Sequence, residues 1–307
     1  MPTVNDSQRM ENALPQLASL IRRHAPSSGT HRTHVPALTL MHATHTSERL
    51  ESVYTPSICV VAQGAKTATL GSETYRYNPL NYVVTSVELP IKGRIVEASL
   101  DTPSLSLKLN FDADVIVDIV KNMSNPTSVS ASVPAESSRG ITVNKTSPAL
   151  IESLVRLMEL QSAPEDIPVL APLLVREILY RVLQGEQGPL ISQFAIIGSH
   201  AYKIAQAIQL LNRQFNQSLV MEQIAGSVNT STSAFHKHFK RVTAMSPLQY
   251  QKTVRLQEAR RLMLTETIQA AEAAFRVGYE SPSQFSREYA RMYGRPPMLD
   301  VQKLSEV

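Results

Sequence analysis

The sequence predicts an α+β protein in two parts: an N-terminal all-β roll or barrel with helical segments, then an all-α C-terminal domain of two helix-turn-helix units. Three observations predict it. Residues 36–111 consist of short runs rich in Val, Ile, Thr and Tyr, punctuated by Gly, Pro and Asn. After Asp112 the apolar periodicity becomes helical. Within the last third, "NTSTSAFHKHFKRVTAMSP" (229–247) and "GYESPSQFSREYARMYGRPP" (278–297) repeat one plan.

The N-terminal part opens on a weakly amphipathic stretch, residues 10–24, that reads as a short helix. Segments such as "PSICVVAQGAKTATLGSETYRYNP" and "LSLKLNF" then give six to eight short strands, and in the latter Leu105, Leu107, Leu109 and Phe111 alternate onto one side. This is the pattern of a barrel or a double-sheet roll. "SNPTSVSASVPAESSRG" (124–140) reads as a Ser/Pro-rich loop. Two amphipathic helices follow near 147–161 and 168–184, with Leu150, Leu154, Leu157, Met158 and then Leu173, Val175, Ile178, Leu179, Val182 at helical spacing. "QGEQGP" (184–189) closes the segment, and everything after about 198 reads as helical.

In each copy of the repeat a turn residue is followed by polar helix starters, two aromatics four apart, a basic turn and a proline. Phe235 and Phe239 precede Pro247 by the offsets at which Phe285 and Tyr289 precede Pro297. A small-residue helix, 221–228 or 268–278, leads into each. A helix, a tight turn and a second helix with a polar outer face make a helix-turn-helix layout. Gly278 supplies a left-handed turn, and Asn229 at the equivalent place is the residue that best tolerates one after glycine. The aromatic stripe is core; the small polar and basic residues on the opposite face suit the edges of bases in a major groove.

Charge and composition bound the partners. At 307 residues, 43% apolar and 18% charged, the chain is of soluble globular type with room for two domains. Residues 198–307 carry 14 Lys and Arg against 8 Asp and Glu, whereas the preceding residues carry 16 against 18. The basic third suits a polyanion, of which nucleic acid is the commonest, a solvated basic surface being the plainer alternative. No apolar run nears the roughly 18 residues of a membrane span, and the N-terminus lacks a signal peptide's build, so a cytoplasmic protein is expected. The lone Cys59 excludes an internal disulfide and a cysteine-rich zinc site.

On these residues the segment 198–299 resembles the AraC/XylS family of bacterial transcription regulators. "AAEAAFRVGYESPSQFSREYARMYGRPP" matches its signature nearly throughout, and "SPLQYQKTVRLQEARRLM" (246–263) is similar to its linker helix. The resemblance implies a seven-helix domain over 198–307 with recognition helices at about 231–242 and 282–293. It departs at Asn229 and Ala244, where the family favours glycine. Base contacts carried over are Ser233, His236 and Lys237 in the first unit and Ser283, Gln284, Ser286 and Arg287 in the second, with Lys240, Arg241, Arg291 and Arg295 on phosphates. Residues 1–190 are similar, more loosely, to the cupin-like N-terminal domain of such regulators. That implies a β roll over 36–111, helices over 112–184, and a role in effector binding or dimerisation.

Several residues invite a sharper chemistry. Residues 50–111 contain no histidine, so a cupin metal set, and with it an enzyme, is not expected there. His31, His34, His42 and His45 form two His-x-x-His pairs, read as incidental to a polar N-terminal loop, and neither metal nor cofactor is expected. Cys59 is either a small buried hydrophobe or an electrophile sensor. Cys59, Tyr75, Tyr77 and Tyr82 are candidates to line an effector pocket inside the roll, or they are core. His236 and His238 diverge on a helix, with His236 toward DNA.

The partners expected are therefore double-stranded DNA, a small-molecule effector and a second copy through helices 147–184, and the reading admits RNA polymerase. A strut of roughly 27 Å between two unlike units implies an asymmetric site of two boxes about one helical turn apart.

Overall fold

The computed structural model describes residues 4–48, 50–123 and 139–305. Residues 124–138, most of the stretch read as a Ser/Pro-rich loop, lie outside the described residues. The chain begins with helix α1 (Val4–His24), longer than its periodicity suggests, which buries Leu17 and Ile21. Nine strands follow among the described residues: β1 (Gly29–Arg32), β2 (Leu38–Ala43), β3 (Leu50–Tyr54), β4 (Ser57–Gln63), β5 (Ala65–Leu70), β6 (Glu73–Tyr77), β7 (Asn81–Thr85), β8 (Leu89–Glu97) and β9 (Ser104–Asn110). Helix α2 (Ala113–Asn122) precedes a tenth strand, β10 (Ile141–Lys145).

The strands form two antiparallel sheets. One has the order β1-β2-β9-β4-β7-β10 and the other β3-β8-β5-β6. Strand β4 explains the architecture: Ile58, Val60 and Ala62 face one apolar core and Cys59 and Val61 another, so the unbroken run ICVVA is buried on both faces. The first core lies between the six-stranded sheet and a helical layer of α1, α2, α3 (Pro148–Glu159), α4 (Ile167–Leu183) and α5 (Gly188–Gln193). Leu105, Leu107 and Leu109 point into it, as their alternation predicts. The histidine-bearing stretch is only partly loop, with His34 and His45 between strands. His31 lies in β1 and His42 in β2, which pair with Gly29 opposite His42.

One residue of the predicted helical stripes falls elsewhere. Ile178, Leu179 and Val182 of α4 are buried, but Leu173 is 61% exposed and shares an apolar outer surface with Val169, Leu170 and Tyr180. Helical spacing records which residues share a face; what covers that face depends on neighbouring elements.

Seven helices follow residue 198 among the described residues: α6 (His200–Arg213), α7 (Met221–Ser227), α8 (Thr232–Thr243), α9 (Pro247–Thr265), α10 (Ala270–Arg276), α11 (Pro282–Tyr293) and α12 (Pro297–Ser305). Several of these helices start on a serine cap. Ser231, Ser246 and Ser281 accept from backbone amides at the starts of α8, α9 and α11, and Ser246 with Gln249 closes a capping box. The second core joins the inside of the roll to the first helix-turn-helix unit, including Leu70, Leu89, Ile204, Phe235, Phe239 and Tyr250. The third holds the second unit alone, around Leu256, Ala274, Phe285 and Tyr289.

The second unit is locked by a buried ion pair. Arg260 donates through Nε and Nη2 to the two carboxylate oxygens of Asp300 at 2.8 and 2.9 Å, and the Tyr289 hydroxyl donates to the same Asp300 at 2.8 Å. The Arg260 guanidinium lies 4.2 Å from the centre of the Tyr293 ring. Removing one partner leaves a buried charge unpaired, so Asp300→Ala is expected to cost about 3 to 5 kcal/mol in urea unfolding, well above the loss for an exposed pair.

Candidate nucleic-acid interface

The first unit is built from α7 and α8 around a turn at Asn229, which takes φ +50°. The Asn229 carbonyl accepts from Lys203 Nζ of α6 at 2.8 Å. Phe235 and Phe239 are fully buried, with ring centres 5.5 Å apart, and Phe239 meets Tyr250 of α9 edge-on. That orientation leaves Ser233, His236, Lys237 and Lys240 exposed along α8. Arg241 is half-buried, with Nη1 3.4 Å from His238 Nδ1. His238 turns away from that face and stacks on His200 at 3.9 Å. Burial, then His200, Arg241 and Lys237, push its pKa down, which favours the neutral ring.

The second unit repeats the plan through α10 and α11. Gly278 takes φ +89°, and an added Cβ would stand 2.1 Å from the Asn216 carbonyl oxygen, so both the turn and the close approach require glycine. The Gly278 carbonyl accepts from Arg255 Nη1 of α9 at 2.9 Å, the counterpart of Lys203 and Asn229. With Phe285 and Tyr289 buried, Ser283, Gln284, Arg287, Arg291 and Arg295 are exposed and Ser286 is half-buried. Each predicted contact set thus shares one helix and its following turn, the first along α8 and the second along α11 to Arg295.

Sequence reasoning missed the residues beside these sets. Glu288 accepts from Lys252 Nζ at 2.6 Å and from the Tyr279 hydroxyl at 2.8 Å. Burial pushes its carboxyl up, but those two donors outweigh it and hold the pKa below the ordinary value. Lys252, Arg255, Gln284 and Glu288 line a cleft of about 820 Å³ between α9 and the second unit, with exposed Leu248 and Phe275 at its walls. The one available signal was a basic residue on the helix ahead of each turn, Lys203 or Arg255.

The effector-pocket candidates are divided. Cys59 and Tyr77 meet inside the roll, where the Cys59 thiol donates to the Tyr77 hydroxyl at 3.6 Å. Burial, followed by Cys59 and Tyr54, raises the Tyr77 pKa. Tyr82 faces the helical layer on the other side of the sheet. Tyr75 lies at the edge of the roll, its hydroxyl donating to Glu73 at 2.5 Å. The histidines near the N-terminus are separately engaged: His31 with the Ser27 carbonyl at 2.8 Å, His42 with the Ala25 carbonyl at 2.7 Å and His45 with the Thr44 hydroxyl at 3.0 Å. Among the described residues, no group of three or more His, Cys, Asp or Glu could hold a metal ion.

Comparison with known proteins accounts for both halves of this arrangement. Residues 34–190 match the family described as AraC-type transcriptional regulator N-terminus. The chain belongs to the AraC-type transcriptional regulators. Residues 224–299 of this AraC-type regulator match a helix-turn-helix domain family. It is 26% identical over 156 residues to the HTH-type transcriptional activator RhaS of Klebsiella pneumoniae, covering 50% of this chain and 54% of that protein. It is 27% identical over 90 residues to the lactose operon transcription activator of Staphylococcus xylosus, covering 29% of this chain and 32% of the relative. The chain therefore spans about half or less of the length of these relatives.

Among solved structures, ToxT of Vibrio cholerae superposes with a TM-score of 0.56 at 12% identity, over 86% of this chain and 98% of that one. ToxT bound to an unsaturated fatty acid superposes with a TM-score of 0.53 at 11% identity, over 85% and 94%. At these identities the likeness is one of fold.

Because Arg287 is exposed on the outer face of α11, Arg287→Ala is expected to cost about 1 to 3 kcal/mol on a cognate duplex and little on random DNA. Lys240→Ala should weaken both alike and reduce the salt slope by about 1. Titrations at two salt concentrations check both, and equal losses on the two DNAs for Arg287→Ala would remove it from the base-reading set.

Proposed function

We propose that the protein is a sequence-specific DNA-binding transcription regulator in which α8 and α11 read DNA and the N-terminal roll senses a small effector. The observation that carries this reading is the pair of helices itself. Each buries Phe235 and Phe239 or Phe285 and Tyr289 completely and turns small polar and basic residues to solvent, and one helix, α9, joins the two units. Ser233, His236 and Lys237, with Ser283, Gln284, Ser286 and Arg287, are the base-edge contacts; Lys240, Arg241, Arg291 and Arg295 serve phosphates. Nineteen residues of α9 span roughly 28 Å, close enough to the ~34 Å pitch of B-DNA to set the helices in successive major grooves. The site is then asymmetric, two unlike boxes one turn apart.

The effector reading is supported by Lys66. It is 8% exposed inside the roll, where its Nζ meets the Ser106 hydroxyl at 3.2 Å and the Met41 sulfur at 3.3 Å. Among the described residues its Nζ meets no carboxylate, and a buried ammonium without an anion is costly. A carboxylate-bearing effector with an apolar body fits that vacancy of charge, in keeping with the fatty acid on ToxT. The exposed apolar face of α4, with Val169, Leu170 and Leu173, is the surface for a second copy, and RNA polymerase is a further partner. Among the described residues no helix is long and apolar enough to cross a membrane. We place the protein in the cytoplasm, acting as a regulator and not as an enzyme.

A gel shift of the full chain on the DNA upstream of its own gene, at two salt concentrations, tests DNA reading. Binding no tighter than to random duplex would leave the reading without support. Inserting about 5 base pairs between the boxes turns one to the opposite face and should reduce affinity to that of a single box. For the effector, palmitoleate is expected to raise the melting temperature of the wild type but not of Lys66→Met. A shift retained in the variant would move the carboxylate site away from Lys66.

A further inference from the structure

The two helix-turn-helix units are alike in sequence but end differently. A helix leaves its last carbonyls without intrahelical donors. In the second unit α11 ends on Gly294, whose φ of +76° turns the chain and returns its N–H to the Ala290 carbonyl at 2.8 Å. On glycine such a left-handed end carries no Cβ strain. The matching residue of the first unit is Ala244, whose N–H returns to the Lys240 carbonyl at 2.9 Å in the same way but at φ +60°, a conformation that a Cβ disfavours.

Further donors for that strained end come from the N-terminal domain. Arg139 Nη1 donates to the carbonyls of Lys240 at 3.1 Å and Arg241 at 2.5 Å, and the Gly140 N–H donates to the Val242 carbonyl at 3.0 Å. Three successive carbonyls in the last turn of α8 are met by residues that precede β10. The guanidinium also lies at the negative end of the helix dipole. Arg139 is fixed in turn by both carboxylate oxygens of Glu73 on β6, which also accepts from the Tyr75 hydroxyl. The approach is tight: a Cβ on Gly71 would come within 2.9 Å of the Ala244 Cβ, and one on Gly140 within 3.3 Å of Val242 Cγ1.

We propose that Arg139 and Gly140 are positioning residues for DNA reading by α8. The first unit holds its reading geometry only against the N-terminal roll, and the second holds its own. This rests on the reading of both units as DNA readers. Lys240 and Arg241, the phosphate contacts of the first unit, are the residues whose backbone the clamp grips. A shift of β6, which carries Glu73, Tyr75 and Tyr77, is transmitted to α8 and leaves α11 on its separate core.

The test presents the full-length chain with a library of random duplexes and sequences those retained. The wild type is expected to select two boxes, one relaxed by His236→Ala and the other by Arg287→Ala. Arg139→Ala should reduce discrimination at the His236 box by about tenfold, the order of a hydrogen bond to a charged group, and leave the Arg287 box unchanged. Glu73→Gln, which loosens Arg139 without touching α8, should act in the same direction and serves if Arg139→Ala does not fold. Adding Ala244→Gly to Arg139→Ala should restore most of the loss, because glycine holds the left-handed end of α8 without the strain that the outside donors offset; general damage to the roll would not be rescued this way. Equal losses at both boxes, no loss at either, or no rescue by glycine would overturn the proposal. If the wild type selects no sequence at all, DNA reading itself falls, and the inference falls with it.

Discussion

Everything in the C-terminal third depends on α9 being buried in two cores at once. Its first half belongs with the roll. Tyr250 is fully buried, packs on Phe239 and donates its hydroxyl to the Glu88 carbonyl at 2.9 Å, while Asn212 bonds both that hydroxyl and the Glu88 carboxylate. Its second half, with Leu256, Ala259, Leu262 and Met263, belongs to the second unit. A helix anchored this way on both halves resists bending, because motion at either end opens a packed core. The separation of α8 and α11 is therefore a property of side-chain packing more than of a linker's length.

The two recognition helices were legible to within a residue. The family resemblance implied about 231–242 and 282–293, and the structure places α8 and α11 at Thr232–Thr243 and Pro282–Tyr293, with Ser231 and Ser281 as caps and Pro282 at the first helical position. The positive φ at Asn229 was readable from local chemistry. Less could be read where partners are distant in the chain. Strand β10 is five residues whose reason to be a strand is β7, some sixty residues earlier. The pocket candidates failed to converge because facing depends on register: Cys59 pairs with Val83, so Tyr82, one residue away, faces the opposite side.

The candidate contact residues were legible as types and positions, but their supports were not. Lys203 and Arg255, which hold the two turn carbonyls, read in sequence as ordinary basic residues on helices. Lys66 reads as a surface residue of an exposed strand, and only the closure of the two sheets puts its ammonium inside. Arg139 follows a long Ser/Pro-rich stretch and carries no local signal. In each case the missing information is which distant backbone a long side chain reaches, and no periodicity encodes that.

The core shared by the roll and the first helix-turn-helix unit has a consequence for how such proteins can be recombined. The family and domain matches suggest a seam between residues 190 and 224, and a chimera joined there would set the face of one roll against the first unit of another protein. The complementary surfaces, Gly71 against Ala244 and Glu88 against Asn212 and Tyr250, would then have different ancestries. The natural crossover lies inside α9, after Val254 and before Leu256, where the packing changes from one core to the other. As a unit of exchange, the first helix-turn-helix travels with the N-terminal roll, and only the second is a detachable module.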